Sequence, residues 1–404
     1  MDLKSGYPFW AVRNGLMHAF PPLTADLRCD VAVVGGGITG ALIAHEFAAH
    51  GHAVAVFEER DIGWGSTAAS TALLQYEIDT PMTDLARRLG EADALRAYRA
   101  CVEAIGLLQA SAGTVRDAGF RRMASLYYAS RPRHRRALEA EYVLRRRHGF
   151  DVRWLGPGAL RERFGFDAPG AILSRPAGVV DPYRLTYRLL LRAQRHGAQV
   201  FDRTRIAGLR ATARGVELRD DAGQLVRARH AVLATGYATE HWLRKRVARN
   251  RSTYAFVTDP IAADALGPLR DTMAWETARP YLYLRTTPDG RLLAGGEDDS
   301  VDVPARRDKR VEEKARALVR KVAALFPHLP LEPVFSWAGT FAETADGLPF
   351  FGPHPERGPR VHFAMAYGGN GIVFSMLGAG LLRARVERRR HPLAALFSFA
   401  RLDR

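Results

Sequence analysis

The chain has 404 residues, 47% of them hydrophobic, enough to bury a large core spread over two or three structural units. With 59 Lys and Arg against 43 Asp and Glu it carries a formal net charge of +16, which points toward an acidic substrate, anionic lipid or nucleic acid as a partner. No stretch reaches the roughly 18 apolar residues of a membrane span, MDLKSGYPFW lacks an apolar signal segment, and Cys29 and Cys101 are the only cysteines; neither a spanning protein nor a disulfide framework is indicated, and a cytoplasmic location is expected.

The first informative element is VAVVGGGITG, residues 31–40. β-Branched Val31, Val33 and Val34 read as a strand, while Ile38, Leu42 and Phe47 with Ala41, Ala44 and Ala48 read as a helix that Gly51 ends. Between them lies a dinucleotide-binding turn: Gly35 permits the tight bend, Gly37 lets a backbone N–H approach a pyrophosphate, and Gly40 lets the helix pack on the strand. Gly35, Gly36, Gly37, Ile38, Thr39 and Gly40 form the expected phosphate cradle, with the positive end of the helix facing the anion. A second strand, Val54 to Glu58, places a carboxylate at its end for a ribose hydroxyl; alternation favours Glu58 over its neighbour Glu59.

Beyond this unit a helical region is expected over 82–111, with Cys101 on its apolar face. GFRRMASLYYAS (119–130) reads as a strand, followed by an Arg-rich helix. A helix near Leu185 to His196 leads to the strand HAVLATG (230–236); TYAFV, YLYLR (281–285) and RLLAGG (291–296) alternate as an antiparallel sheet would. Glycine-rich turns return in DGLPFFG (346–352) and AYGGNG (366–371), before a helix beginning near Ile372. Lys4, Lys245, Lys309, Lys314 and Lys321 are the only lysines, so the positive charge is arginine; the clusters at 131–136, 145–147 and 388–390 read as solvated helix faces. His50 and His52 merely flank Gly51, and no metal site is expected.

Taken together, VVGGGITG, VFEERDIGWGST (56–67), VVDPYRL (179–185), ATG (234–236), RLLAGG, DGLPFFG and GGNG follow one another in an order that resembles the D-amino acid oxidase and glycine/sarcosine oxidase superfamily of FAD-dependent oxidoreductases. The resemblance covers most of the chain. It implies an α/β fold (α+β overall), with a Rossmann-like FAD-binding domain assembled from 1–80, 181–240 and 335–404. A substrate domain built on an antiparallel sheet, 81–180 and 241–334, is interleaved with it. It assigns cofactor contacts to Gly63, Gly65, Ser66 and Thr67 after the second strand, to Thr235 and Gly236, and to Gly368, Gly369, Asn370, Gly371 and Ile372, where a helix N-terminus could stabilise charge on the reduced flavin.

Departures from the family pattern are equally specific. GTFAETADG (339–347) has no cysteine and GWGSTAAST no histidine to tether a flavin, so non-covalent FAD is expected; the arginine many members carry after the glycine loop corresponds to a position close to Ala69. Arg285, matching the arginine that clamps a substrate carboxylate in glycine-oxidase-like members, is the expected substrate anchor, with Tyr281 and Tyr283 on the same strand face as pocket walls. Gln75, Tyr76 and Glu77 are weaker candidates. The implied reaction is oxidation of the C–N bond of a small amine or amino acid to an imine by hydride transfer to flavin N5, with oxygen or a quinone as acceptor and no dedicated general base. Two other readings remain: a tRNA-modifying FAD oxidoreductase acting on an aminomethyl group, which makes nucleic acid a less favoured partner, and a flavin-binding protein without turnover. The tail HPLAALFSFARL (391–402) could dock on anionic lipid.

Overall fold

The valine-rich run forms the strand Leu27–Val34, paired in parallel with Val54–Phe57 on one side and Leu225–Leu233 on the other. The structure is a computed structural model and describes residues 3–300, 302–365 and 367–403. Ala366, the first residue of the AYGGNG stretch, lies outside the described residues. Gln199–Phe201 and Val361–Met365 extend the parallel core, and Phe350–Pro353 closes one edge antiparallel. Strands covered on both faces need unbroken apolar sequence, which Val31–Val34, Val54–Phe57 and Ala231–Leu233 supply. Helix Ile38–Ala49 packs between helices Pro182–Arg195 and Gly371–Val386, bringing three distant segments onto one face of this sheet.

A second, ten-stranded sheet holds YLYLR and RLLAGG at its centre: Arg249–Pro260, Arg291–Asp299, Tyr283–Thr286 and Thr272–Glu276 are consecutive antiparallel neighbours. Only the pairing of Thr272–Glu276 with Arg121–Tyr128 is parallel. This is the antiparallel platform expected of the interleaved substrate domain. Its membership crosses two of the expected boundaries, because Lys4–Gly6, Leu73–Gln75 and Pro333–Glu343 pair into this sheet. The reason is hydrogen bonding at long range: Pro333–Glu343 runs beside Arg249–Pro260, with Arg249 opposite Glu343 and Phe256 opposite Ser336.

Three further expectations need correction. The helical region 82–111 is two helices, Met82–Leu89 and Glu91–Gly113, broken at Gly90, whose φ of 87° no helix accommodates. Arg145 is not on a solvated face: it is fully buried, donating to Glu141 at 2.7 Å and standing 3.5 Å from Glu77. The tail 391–402 folds as turns ending in the 3₁₀ segment Phe399–Asp403 and points Leu396, Phe397 and Phe399 into the body rather than outward. Among the described residues no helix is long and apolar enough to cross a membrane.

Candidate active site

One cavity of about 660 Å³ runs from the glycine turn of the first sheet to the platform of the second. At its first end Gly35 takes φ 113°, the left-handed conformation the turn requires, and donates its N–H to Phe57 O at 2.8 Å. A Cβ on Gly40 would lie 1.9 Å from Gly35 O, so only glycine lets the helix begin this close to the strand. Gly35, Gly37, Ile38 and Thr39 line the cavity; Gly36 and Gly40 support it from behind. Glu58 sits where strand alternation puts it, accepting the N–H of Gly36 at 2.7 Å and that of Arg60 at 3.0 Å. Burial raises its pKa and these two N–H groups oppose the rise, while Glu59 stays exposed and pairs with Arg60.

The loop after Val54–Phe57 closes over the turn. Thr67 Oγ1 accepts the Ile38 N–H at 2.9 Å, and Gly63, Gly65 and Ser66 face the cavity. Ser66 Oγ is buried without a hydrogen-bond partner. Thr235 and Gly236 line the middle of the cavity. Gly368, Gly369, Asn370, Gly371 and Ile372 form its far wall, where helix Gly371–Val386 presents its positive end. Asn370 does not cap that helix; its amide donates to the carbonyls of Glu77 (2.7 Å) and Gln75 (3.2 Å), fixing the turn against the edge of the second sheet.

At the platform end Tyr281, Tyr283 and Trp275 make an aromatic wall, with ring centroids 5.6 Å apart between the tyrosines and 6.4 Å between Tyr281 and Trp275. Trp275 is held by a stacked Tyr127 at 3.7 Å and by its Nε1–H to Ser125 Oγ at 3.0 Å. Two carboxylates that sequence reasoning missed share this chamber, Asp79 and Asp298. Asp79 accepts the Gly369 N–H at 2.6 Å and the Tyr281 hydroxyl at 3.1 Å. Asp298 Oδ1 is buried with no hydrogen-bond partner. Both lay within reach of the sequence motifs: Asp79 follows the Gln75-Tyr76-Glu77 stretch, and Asp298 stands two residues past the Gly295-Gly296 pair that closes RLLAGG.

The expected anchor Arg285 is elsewhere. Its side chain is fully buried outside the cavity lining, donating to Thr71 O at 2.8 Å and Val180 O at 3.2 Å, with Trp10 of helix Phe9–Asn14 5.0 Å from its guanidinium. Burial pulls its pKa down, against the pull of Asp181. The chamber ends at Tyr283, and farther along the strand the N-terminal helix covers the sheet, so sharing a face with the tyrosines does not bring Arg285 to the same space. Asp289, four residues on, pairs with Arg13 and Arg291 and not with Arg285. Glu77 is neither at the chamber nor on the surface; it is fully buried, hydrogen-bonded by Ser174 and close to Arg145. Gln75 lines the cavity, as does Ala69, which puts no charge there.

A model of the FAD dependent oxidoreductase (DAO) family matches residues 30–385 of this chain. A glycine oxidase of Geobacillus kaustophilus (strain HTA426) is 29% identical over 377 residues, covering 90% of this chain and 94% of that protein. The gamma-glutamylputrescine oxidoreductase of Escherichia coli (strain K12) is 26% identical over 393 residues, covering 94% of this chain and 89% of that protein. The crystal structure of glycine oxidase from Geobacillus kaustophilus superimposes with a TM-score of 0.77 at 26% identity, over 92% of this chain and 98% of that one.

Proposed function

The chain belongs to the FAD dependent oxidoreductase (DAO) family and FAD is its cofactor, and from that premise we propose that it oxidises the C–N bond of a small amine or amino acid in the aromatic chamber. The cavity fits the cofactor: a glycine turn and a partnerless Ser66 hydroxyl for the diphosphate, Glu58 for the ribose, and the N-terminus of helix Gly371–Val386 beside the far wall. FAD supplies the hydride acceptor. Non-covalent binding rests on the sequence, where GTFAETADG has no cysteine and GWGSTAAST no histidine.

The observation that carries this reading is the continuity of the cavity from the nucleotide cradle to the Tyr281, Tyr283 and Trp275 wall. The chain's own work is to exclude water with these rings and to align the substrate. As its Cα–H leaves with both electrons, the C–N bond becomes C=N, and the iminium then adds water to give a carbonyl compound and a free amine. The nitrogen must be deprotonated before that step, since its lone pair forms the new π bond. Oxygen or a quinone takes the electrons afterwards.

Anaerobic titration of the purified yellow protein with amines and amino acids tests this. Bleaching of the flavin band by a member of the panel is expected, and peroxide on readmitting air identifies oxygen as acceptor. A protein that binds no flavin, or whose flavin no C–N substrate reduces, overturns the proposal.

A further inference from the structure

The substrate end of the cavity has an electrostatic sign that an amino acid clamp would not have. Its lining includes the carboxylates of Asp79 and Asp298, whereas the arginines that line the cavity, Arg60 and Arg205, lie by the Glu58 end. Arg60 follows Glu58 at the strand end, and Arg205 follows Thr204, whose N–H donates to Glu58 O at 2.7 Å. The position where family members carry an arginine is near Ala69, and Arg285 is locked beneath Trp10. Arg279, the guanidinium that does approach this end, is exposed; it donates to the Asp79 carbonyl at 2.8 Å and covers the Tyr281 ring at 4.6 Å.

Asp79 has two donors already, but Asp298 Oδ1 is shut off from water and has none. Asp298 lines the cavity, so the unpartnered half of its carboxylate leaves this wall short of a donor that a ligand can supply. The surrounding rings favour the same kind of ligand, because aromatic faces attract cations, and more strongly when both are desolvated. A free amino acid would bring its own carboxylate into a chamber that already holds two.

Building on the C–N oxidation proposed above, we propose that the substrate is a cationic amine without a free α-carboxylate, whose ammonium N–H donates to the Asp298 carboxylate against the Tyr281, Tyr283 and Trp275 wall. Asp298 is thus the specificity-determining residue, with the aromatic rings as the walls of a cation site. When the bound nitrogen is also the one oxidised, its proton must leave before hydride transfer. In a diamine the distal nitrogen keeps its proton and its hold on Asp298.

The test uses the FAD-loaded full chain and a probe that cannot turn over. tert-Butylammonium has no C–H on the carbon bearing nitrogen, so it reports binding alone, through its perturbation of the flavin absorbance spectrum. It should bind and compete with amine substrates, while benzoate should not; Asp298→Asn should weaken it at least 10-fold and Asp298→Glu should retain most of the binding. Arg279→Gln removes a positive charge beside the Tyr281 ring and should not raise amine KM. Benzoate binding in preference to tert-butylammonium, an unchanged affinity in Asp298→Asn, or loss of substrate use in Arg279→Gln overturns the assignment. Bleaching by glycine, sarcosine or D-alanine but by no simple amine overturns it too, and leaves the C–N oxidation standing. Absence of bleaching by any of them removes that wider reading instead, and the wild-type binding comparison still decides the sign of the chamber.

Discussion

Gly40 offers a quantitative test of the nucleotide cradle, because its constraint is a close approach of two backbones. A Cβ there would stand 1.9 Å from Gly35 O and 3.0 Å from its carbonyl carbon. Non-bonded carbon and oxygen rest about 3.3 Å apart or more, so helix Ile38–Ala49 and the turn must separate by well over an ångström. Neither atom belongs to a side chain that could swing away. Overpacking of this kind costs about 1–3 kcal/mol, and a backbone clash belongs at the upper end. For Gly40→Ala this corresponds to a fall in the apoprotein Tm of roughly 3 °C, at about 1 °C per kcal/mol for a chain of this size. The same displacement opens the cradle, so FAD affinity should fall at least 10-fold. The stabilisation FAD provides at a concentration of 100 times the wild-type Kd then drops from about 2.7 to about 1.4 kcal/mol. Melting followed by circular dichroism with and without FAD, together with flavin fluorescence titration, measures both effects. Gly106→Ala is the control: it lies inside helix Glu91–Gly113 with nothing within 4 Å of an added Cβ, and should stabilise by about 0.5–1 kcal/mol. A Gly40→Ala protein that melts with wild type and holds FAD as tightly would falsify the close-approach argument.

Replacing Glu58 by Ala removes a carboxylate that accepts two backbone N–H groups and faces the cavity. Charge-assisted hydrogen bonds contribute about 1.5–3 kcal/mol, so FAD Kd should rise about 10- to 100-fold in a fluorescence titration, and a rise under threefold would count against Glu58 as the ribose ligand. Arg285→Met leaves the Thr71 and Val180 carbonyls without their donor, so the protein should melt earlier by several degrees, with the ratio of kcat/KM between amines and amino acids unchanged. A stable variant that loses only carboxylate-bearing substrates would restore Arg285 as the clamp.

The pH dependence turns on Asp298, which burial, with Asp79 and Glu343 adding repulsion, raises from 3.8 to about 7; the nearby Thr253 hydroxyl and the charge of Arg279 oppose the shift. Below pH 7 its carboxyl is protonated and its attraction for a cation is lost, so KM for an amine that stays protonated should fall between pH 6 and 8. That fall should be absent in Asp298→Asn. Because the folded chain binds more protons than the unfolded one between pH 3.8 and 7, this group makes stability decline as pH rises through that window, and a ligand cation should offset the decline. A KM that rises from pH 6 to 8 contradicts the role given to Asp298.

The nucleotide end of this protein was legible because each of its requirements is local. A tight turn, a close helix and a carboxylate at a strand end follow from residue type and spacing within thirty positions, and Gly35, Gly40 and Glu58 stand where those requirements put them. Strand alternation likewise placed Tyr281 and Tyr283 on the cavity side, and helical periodicity buried Cys101. What alternation could not reveal is what lies over each position of a face. Tyr283 meets open space and Arg285, two residues on, meets Trp10 of the helix Phe9–Asn14. Glu77 and Asp79 differ in the same way: one is drawn into the buried Arg145 cluster and the other is tied to Gly369, although they are neighbours in the chain. The sequence by itself therefore determined the glycine turn, the close helix and the strand-end carboxylate, whose physics is short-range backbone geometry. Only the tertiary structure decided the charge of the substrate chamber, since that depends on which distant segments bring carboxylates to it and which guanidinium groups they keep away.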